Sequence, residues 1–97
     1  MSRYRSPSPL APLLSAVIGD LGIQRRFDEA RTVEGWAVIA GLQINGVTER
    51  AWVKGDRLFI KITSAAWRHE LHLQRRAWMN RLNEHLGDDL VGEIVFR

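Results

Sequence analysis

The chain contains no cysteine. That removes disulfides, thiolate zinc sites and cysteine nucleophiles together, and it suits a reducing compartment. No apolar run approaches the roughly 20 residues that a membrane-spanning helix needs. The first residues, MSRYRSPSPLAPLLSAVIG, combine a basic start with an apolar stretch, as a secretory signal does. Prolines break up the front half, however, and no A-x-A cleavage site precedes Asp20. The segment reads as a loose tail over residues 1–9 followed by a helix, in a protein expected to be cytoplasmic. Catalytic patterns are missing too. There is no G-x-S-x-G elbow, no glycine-rich loop between a strand and a helix, and no patterned carboxylate pair. An enzyme is therefore not expected, nor a cofactor, a small-molecule substrate or a membrane partner.

What is present is the balance of an ordinary soluble globule, with 45% hydrophobic and 26% charged residues in 97 positions. That length suits one modest core, and residues 10–97 are expected to form a single domain. The net charge is only +3, but it is unevenly spread. Residues 1–49 hold five basic and five acidic side chains, and residues 82–97 hold one basic and four acidic. Between them, residues 50–81 hold eight cations against Asp56 and Glu70. Such a segment attracts phosphate backbones. Twelve of the fourteen cations in the chain are arginine, which suits bidentate phosphate contacts and stacking. The plainer reading is a solvated charged surface.

Periodicity supplies the elements. Leu10, Leu13, Leu14, Val17, Ile18 and Leu21 recur at helical spacing, with Gly19 and Gly22 expected to end that helix. Phe27, Ala30, Val33, Trp36, Ala37 and Ala40 predict a second helix, weakened by Gly35 and ending near Gly41. VTERAWVKGDRLFIKIT then alternates, predicting two strands around a Gly55-Asp56 turn. Ser64 is a good N-cap for a long helix reaching Leu86, stopped by Gly87. VGEIVFR closes as a third strand. The expected class is α+β, in the order α-α-β-β-α-β, with the helices on one face of a small three-stranded sheet.

On the long helix, Trp67, Leu71, Trp78 and Leu82 share one stripe, flanked by Met79 and Leu86, and predict the core face. His69, His72, Arg76, Asn80 and Asn83 lie nearly opposite, as a solvated face or a partner surface. His69-Glu70-Leu71-His72 has a spacing of three, whereas a metallopeptidase helix needs H-E-x-x-H so that two imidazoles meet one ion. No third ligand is evident, so no structural zinc is expected.

The hairpin carries the stronger functional signal. Leu58, Ile60 and Ile62 alternate with Arg57, Phe59 and Lys61, and Ala51 and Val53 alternate with Arg50, Trp52 and Lys54. If the helices cover one face, the other presents Trp52 and Phe59 among Arg50, Lys54, Arg57 and Lys61. Aromatics within a cationic surface suit single-stranded nucleic acid, at roughly 1–3 kcal/mol per stacked base. The alternative is that both aromatics are buried under the N-terminal helices or in a dimer contact. Gly19-Asp20-Leu21-Gly22 spells the GxxG of KH domains, which clamps nucleic-acid backbone between two helices, but it reads better here as a helix C-cap.

GDRLFIKITSAAWRHELHLQRRAWMNRLNEHLG, followed by VGEIVFR, resembles the bacterial DciA-like family. The shared pattern is the Gly-Asp turn, Leu58-x-Ile60-x-Ile62, Ser64-x-x-Trp67, Glu70-Leu71, Leu82-Asn83, Leu86-Gly87 and Ile94-x-Phe96-Arg97. Upstream, GWAVIAG with Trp36 and Gly41 is similar to the family's W-x-x-x-x-G. The likeness spans about residues 10–97. It implies a KH-like α+β domain and, from the loaders of the replicative helicase, binding to single-stranded or tailed DNA. Other relatives imply RNA. Two departures stand out. Little chain lies beyond the domain, where loaders carry a flexible basic extension, and the GxxG clamp is not credible.

The expectation is thus a non-enzymatic DNA-binding protein that assists the replicative helicase. Arg50, Lys54, Arg57, Lys61, Arg75 and Arg76 would hold phosphates, and Trp52 and Phe59 would stack on bases. The alternatives are an RNA-binding relative and a protein-interaction module that uses Trp52 and the polar helix face.

Overall fold

The computed structural model describes the backbone of residues 10–97 and the side chains from Leu21 onward. The expected loose tail over residues 1–9, and the side chains of Leu10, Leu13, Leu14, Val17 and Ile18, lie outside the described residues. The elements are α1 (Leu10–Val47), β1 (Thr48–Lys54), β2 (Arg57–Ile62), α2 (Ala65–Leu73), α3 (Arg75–Leu86) and β3 (Glu93–Phe96). The order is therefore α-β-β-α-α-β, an α+β fold in which the expected helix count is redistributed.

The expected break at Gly19 and Gly22 does not occur, and one helix runs through both. A glycine inside a helix costs up to about 1 kcal/mol but ends it only by leaving helical geometry. Gly41 does so, at φ 81° and ψ 177°, and kinks α1 where the sequence places a helix end. Gly35 has a different purpose. A Cβ there would lie 3.1 Å from methyl carbons of both Leu82 and Leu86, so the missing side chain lets α3 close onto α1.

The helix expected from Ser64 to Leu86 is two helices. Ser64 caps α2 as predicted, its Oγ accepting from the Trp67 N–H at 3.2 Å. Gln74 then leaves helical geometry (φ −104°, ψ 18°) and α3 starts afresh. Gly87 ends α3 in the left-handed conformation, donating to the carbonyls of Asn83 and Glu84 while Asp88 N–H also reaches Asn83 O.

The sheet order is β1-β2-β3, with β1 antiparallel and β3 parallel to the central β2. The hairpin turn falls at Gly55-Asp56, as the alternation requires, with Gly55 at φ 66°. Leu58, Ile60, Ile62, Ile94 and Phe96 point to one face and pack against Trp36, Ala40 and Ile44 of α1, Leu71 of α2, and Trp78 and Leu82 of α3. The predicted helix stripe thus survives the break at Gln74, with Trp67, Met79 and Leu86 at its partly buried margin.

Asn83 departs from expectation. It was placed on the solvated face, but it is buried. Its Nδ2 donates to Val91 O at 2.8 Å and its Oδ1 accepts from Val91 N–H at 3.0 Å. A buried amide is tolerated because both of its ends are satisfied, and it fixes the approach to β3. Asn83→Ala would strand two buried backbone groups at about 1–3 kcal/mol each. We expect thermal melting to fall by on the order of 10 °C, at about 4–8 °C per kcal/mol for a domain of this size. A wild-type melting curve would show that the clamp contributes little.

Candidate nucleic-acid interface

The pleat that sends Leu58, Ile60 and Ile62 into the core sends Arg57, Phe59 and Lys61 to the other face. The register places Lys61 beside Arg50, Phe59 beside Trp52 and Arg57 beside Lys54. On the other side of β2, Glu93 pairs with Arg57 and Val95 with Phe59. Among the described residues, the helices pack against the opposite face. The expected cationic, aromatic face therefore forms, with six of the eight candidate side chains on it.

Its centre is a row of four side chains. Trp52 and Phe59 stack with centroids 5.4 Å apart and planes 8° from parallel. The Arg50 guanidinium lies 4.6 Å from the Trp52 ring and that of Arg97 lies 4.9 Å from the Phe59 ring. This cover leaves Phe59 only 6% exposed, although it stands apart from the helix-packed core. The expectation that Phe59 offers its ring to a base is thus corrected. Cross-strand pairing makes Phe59 the support on which Trp52 and Arg97 rest, while Trp52 remains half-exposed.

Intramolecular partners use part of the cationic charge. Arg57 Nε meets Glu93 Oε1 at 3.1 Å, and Lys61 Nζ meets Glu49 Oε2 at 3.9 Å. These side chains are about half exposed, and exposed pairs of this kind contribute about 0–1 kcal/mol, so a phosphate can compete for the cations. Among the described residues, Arg50, Lys54 and Arg97 make no salt bridge. Arg97 was not among the expected site residues. The alternation of Ile94 and Phe96 with Val95 and Arg97 was the signal that pointed to it.

Arg75 and Arg76 lie apart from this row, in the first turn of α3. They line an open groove of ≈ 480 Å³ with Met79, Asn80, Gly92, Glu93 and Ile94. Glu93 belongs both to this groove and to the sheet face through Arg57, so the two patches meet there. Arg75 donates to His72 O at 2.9 Å, which ties it to the end of α2. Two other cations of the basic segment are likewise engaged. Arg68 donates to Ile62 O at 2.8 Å, and Arg81 lies 4.4 Å from the Trp78 ring.

Gly19-Asp20-Leu21-Gly22 lies within α1 and joins no two helices, so its spelling carries no clamp. The helices that do follow one another directly are α2 and α3, and their junction, Leu73-Gln74-Arg75-Arg76, has no glycine. His69 and His72 are exposed. Among the described residues no three His, Asp or Glu side chains are grouped to hold a metal. Nor is any helix among them long and apolar enough to cross a membrane.

No curated protein and no solved structure matches the chain. A family model does, described as "Dna[CI] antecedent, DciA", over residues 9–96. That span takes in the whole sheet, all of α2 and α3, the described part of α1 and every candidate interface residue except Arg97, and the chain belongs to the DciA family, whose role in bacterial replication is related to helicase loading.

Proposed function

We propose that the chain is a non-enzymatic nucleic-acid-binding protein that holds single-stranded or tailed DNA across the cationic, aromatic face of its sheet while assisting the replicative helicase. The observation that carries this reading is the row Arg50, Trp52, Phe59 and Arg97 on the face opposite the one that the described helices pack against. Arg50, Lys54 and Arg97 take phosphates, and Arg57 and Lys61 join them by exchanging Glu93 and Glu49 for the ligand. Trp52 supplies the aromatic surface for one base. Arg76, across Glu93, extends the cationic track toward α3. A single strand suits this geometry because its bases can turn toward the sheet while its backbone follows the cations. Family membership supports the helicase as partner.

The test is fluorescence anisotropy with single-stranded, duplex and forked DNA and single-stranded RNA, each at several salt concentrations. Single-stranded and forked DNA should bind most tightly. Five phosphate contacts would give a log–log salt slope near −3.5, at about −0.7 per contact. Tighter binding to RNA than to any DNA would reassign the ligand. The absence of salt-sensitive binding to every oligonucleotide would refute the reading and favour a protein-interaction module, to be examined by pull-down with the helicase.

A further inference from the structure

Trp52 is not bare in the free protein. Its ring stacks on Phe59, and the Arg50 guanidinium lies over it, 4.6 Å from the centroid. A base that stacks on Trp52 needs ring surface that Arg50 covers. A phosphate beside that base needs the charge that Arg50 carries. One movement of Arg50 supplies both. The local backbone favours it. From Thr48 to Arg50 is two steps along β1, but from Ile62 to Lys61 is one step along β2, so a bulge precedes Arg50 on this edge strand. A bulge breaks strict alternation and re-aims the side chains around it. Glu49 thereby reaches the cationic face, where its carboxylate takes Lys61 at 3.9 Å. Arg50 is left exposed and, among the described residues, without a salt bridge.

We propose, on the basis of the nucleic-acid reading, that Arg50 is a displaceable cover on Trp52: an incoming base takes its place on the ring, and the guanidinium turns to a phosphate flanking that base. A cation over an exposed ring is held more weakly than a stacked base, and a charge-assisted contact with phosphate replaces what the cation gives up. Arg97, at the other end of the row, stays in place. Its N–H donates to Ile60 O and its carbonyl accepts from Ile62 N–H, and its side chain lies over Phe59, which is buried. Moving Arg97 would open a buried ring, whereas moving Arg50 opens one already half-exposed. The exchange needs a base and a phosphate side by side with the base free, as in a single strand. In a duplex the base must first leave its stack.

Nuclear magnetic resonance of the full chain with oligothymidylate tests this, with Arg50→Lys and Trp52→Phe used to assign the side-chain signals. In the free protein, cross-relaxation should connect the Arg50 side chain with the Trp52 ring. At saturation it should be lost and replaced by cross-relaxation between a thymine methyl and the same ring. Arg50→Lys should bind within about threefold of wild type and with the same salt slope, because lysine serves as a phosphate cation but stacks poorly. Arg50→Gln should flatten the slope by about 0.7, one contact's worth. Salt-sensitive binding in which Arg50 stays against Trp52 refutes the exchange and leaves the nucleic-acid reading standing. So does an Arg50→Lys variant weaker by about tenfold or more, which would mean that the guanidinium itself stacks on the base. A free protein without the Arg50–Trp52 contact also overturns it. No binding to any oligonucleotide removes both readings together.

Discussion

Trp36→Ala is expected to leave the protein largely unfolded at room temperature. Trp36 is 1% exposed and lies where α1, α3 and β3 converge. Its ring meets Trp78 edge-on at 5.3 Å and Phe96 at 5.6 Å. Truncating a buried tryptophan costs about 3–5 kcal/mol, which is most of what a small domain has in hand. The loss also removes one partner from each of two aromatic contacts worth about 0.5–1.5 kcal/mol apiece beyond area. Trp36→Phe is the informative companion. It keeps most of the apolar surface and removes the Nε1–H, a buried donor with no hydrogen-bond partner. An unsatisfied buried donor costs about 1–3 kcal/mol, so its removal should offset part of the lost packing. Urea denaturation should therefore rank wild type and Trp36→Phe close together and Trp36→Ala far below. Equal losses for both substitutions would place the weight on the indole nitrogen and overturn the packing argument.

Replacing Arg50, Lys54 and Arg97 together with glutamine should reduce affinity for single-stranded DNA by tens of fold at about 0.15 M salt. Three lost phosphate contacts would also flatten the log–log slope by about 2. The fold should survive, since exposed substitutions usually shift stability by less than about 0.5 kcal/mol each. Glutamine at position 97 also retains a long side chain over Phe59. Trp52→Ala provides the contrast. It should weaken binding with little change in slope, because stacking releases few ions. It should also lower stability modestly, because it uncovers Phe59. The two kinds of variant thus separate phosphate contact from base contact on the same face. A triple variant that binds with wild-type slope would move the phosphate path elsewhere, toward Arg75, Arg76 and the α3 groove.

Local patterns in the sequence were enough to determine the strands, their turn and which side chains share a face. Period-two alternation needs only neighbouring residues to place Leu58, Ile60 and Ile62 opposite Arg57, Phe59 and Lys61. The cap at Ser64, the stop at Gly87 and the kink at Gly41 were also legible, because each depends on one residue's backbone preference. So was the family, from an ordered set of such features. Tertiary structure alone decided the rest. Gly22 could close a helix or sit within one, and only the helical backbone it adopts in α1 separates the two. Gln74 carries no breaker chemistry, yet α2 and α3 separate there and both still face the sheet. Asn83 is buried because Val91, eight residues on, turns back to meet it. Phe59 lost its expected role because Arg97, far along the chain, lies over its ring. The charge of the basic segment was visible residue by residue. Its distribution among Glu49, Glu93, His72 O, Ile62 O and the aromatic rings was not, because periodicity reports a residue's own face and says nothing of the distant chain that comes to lie against it.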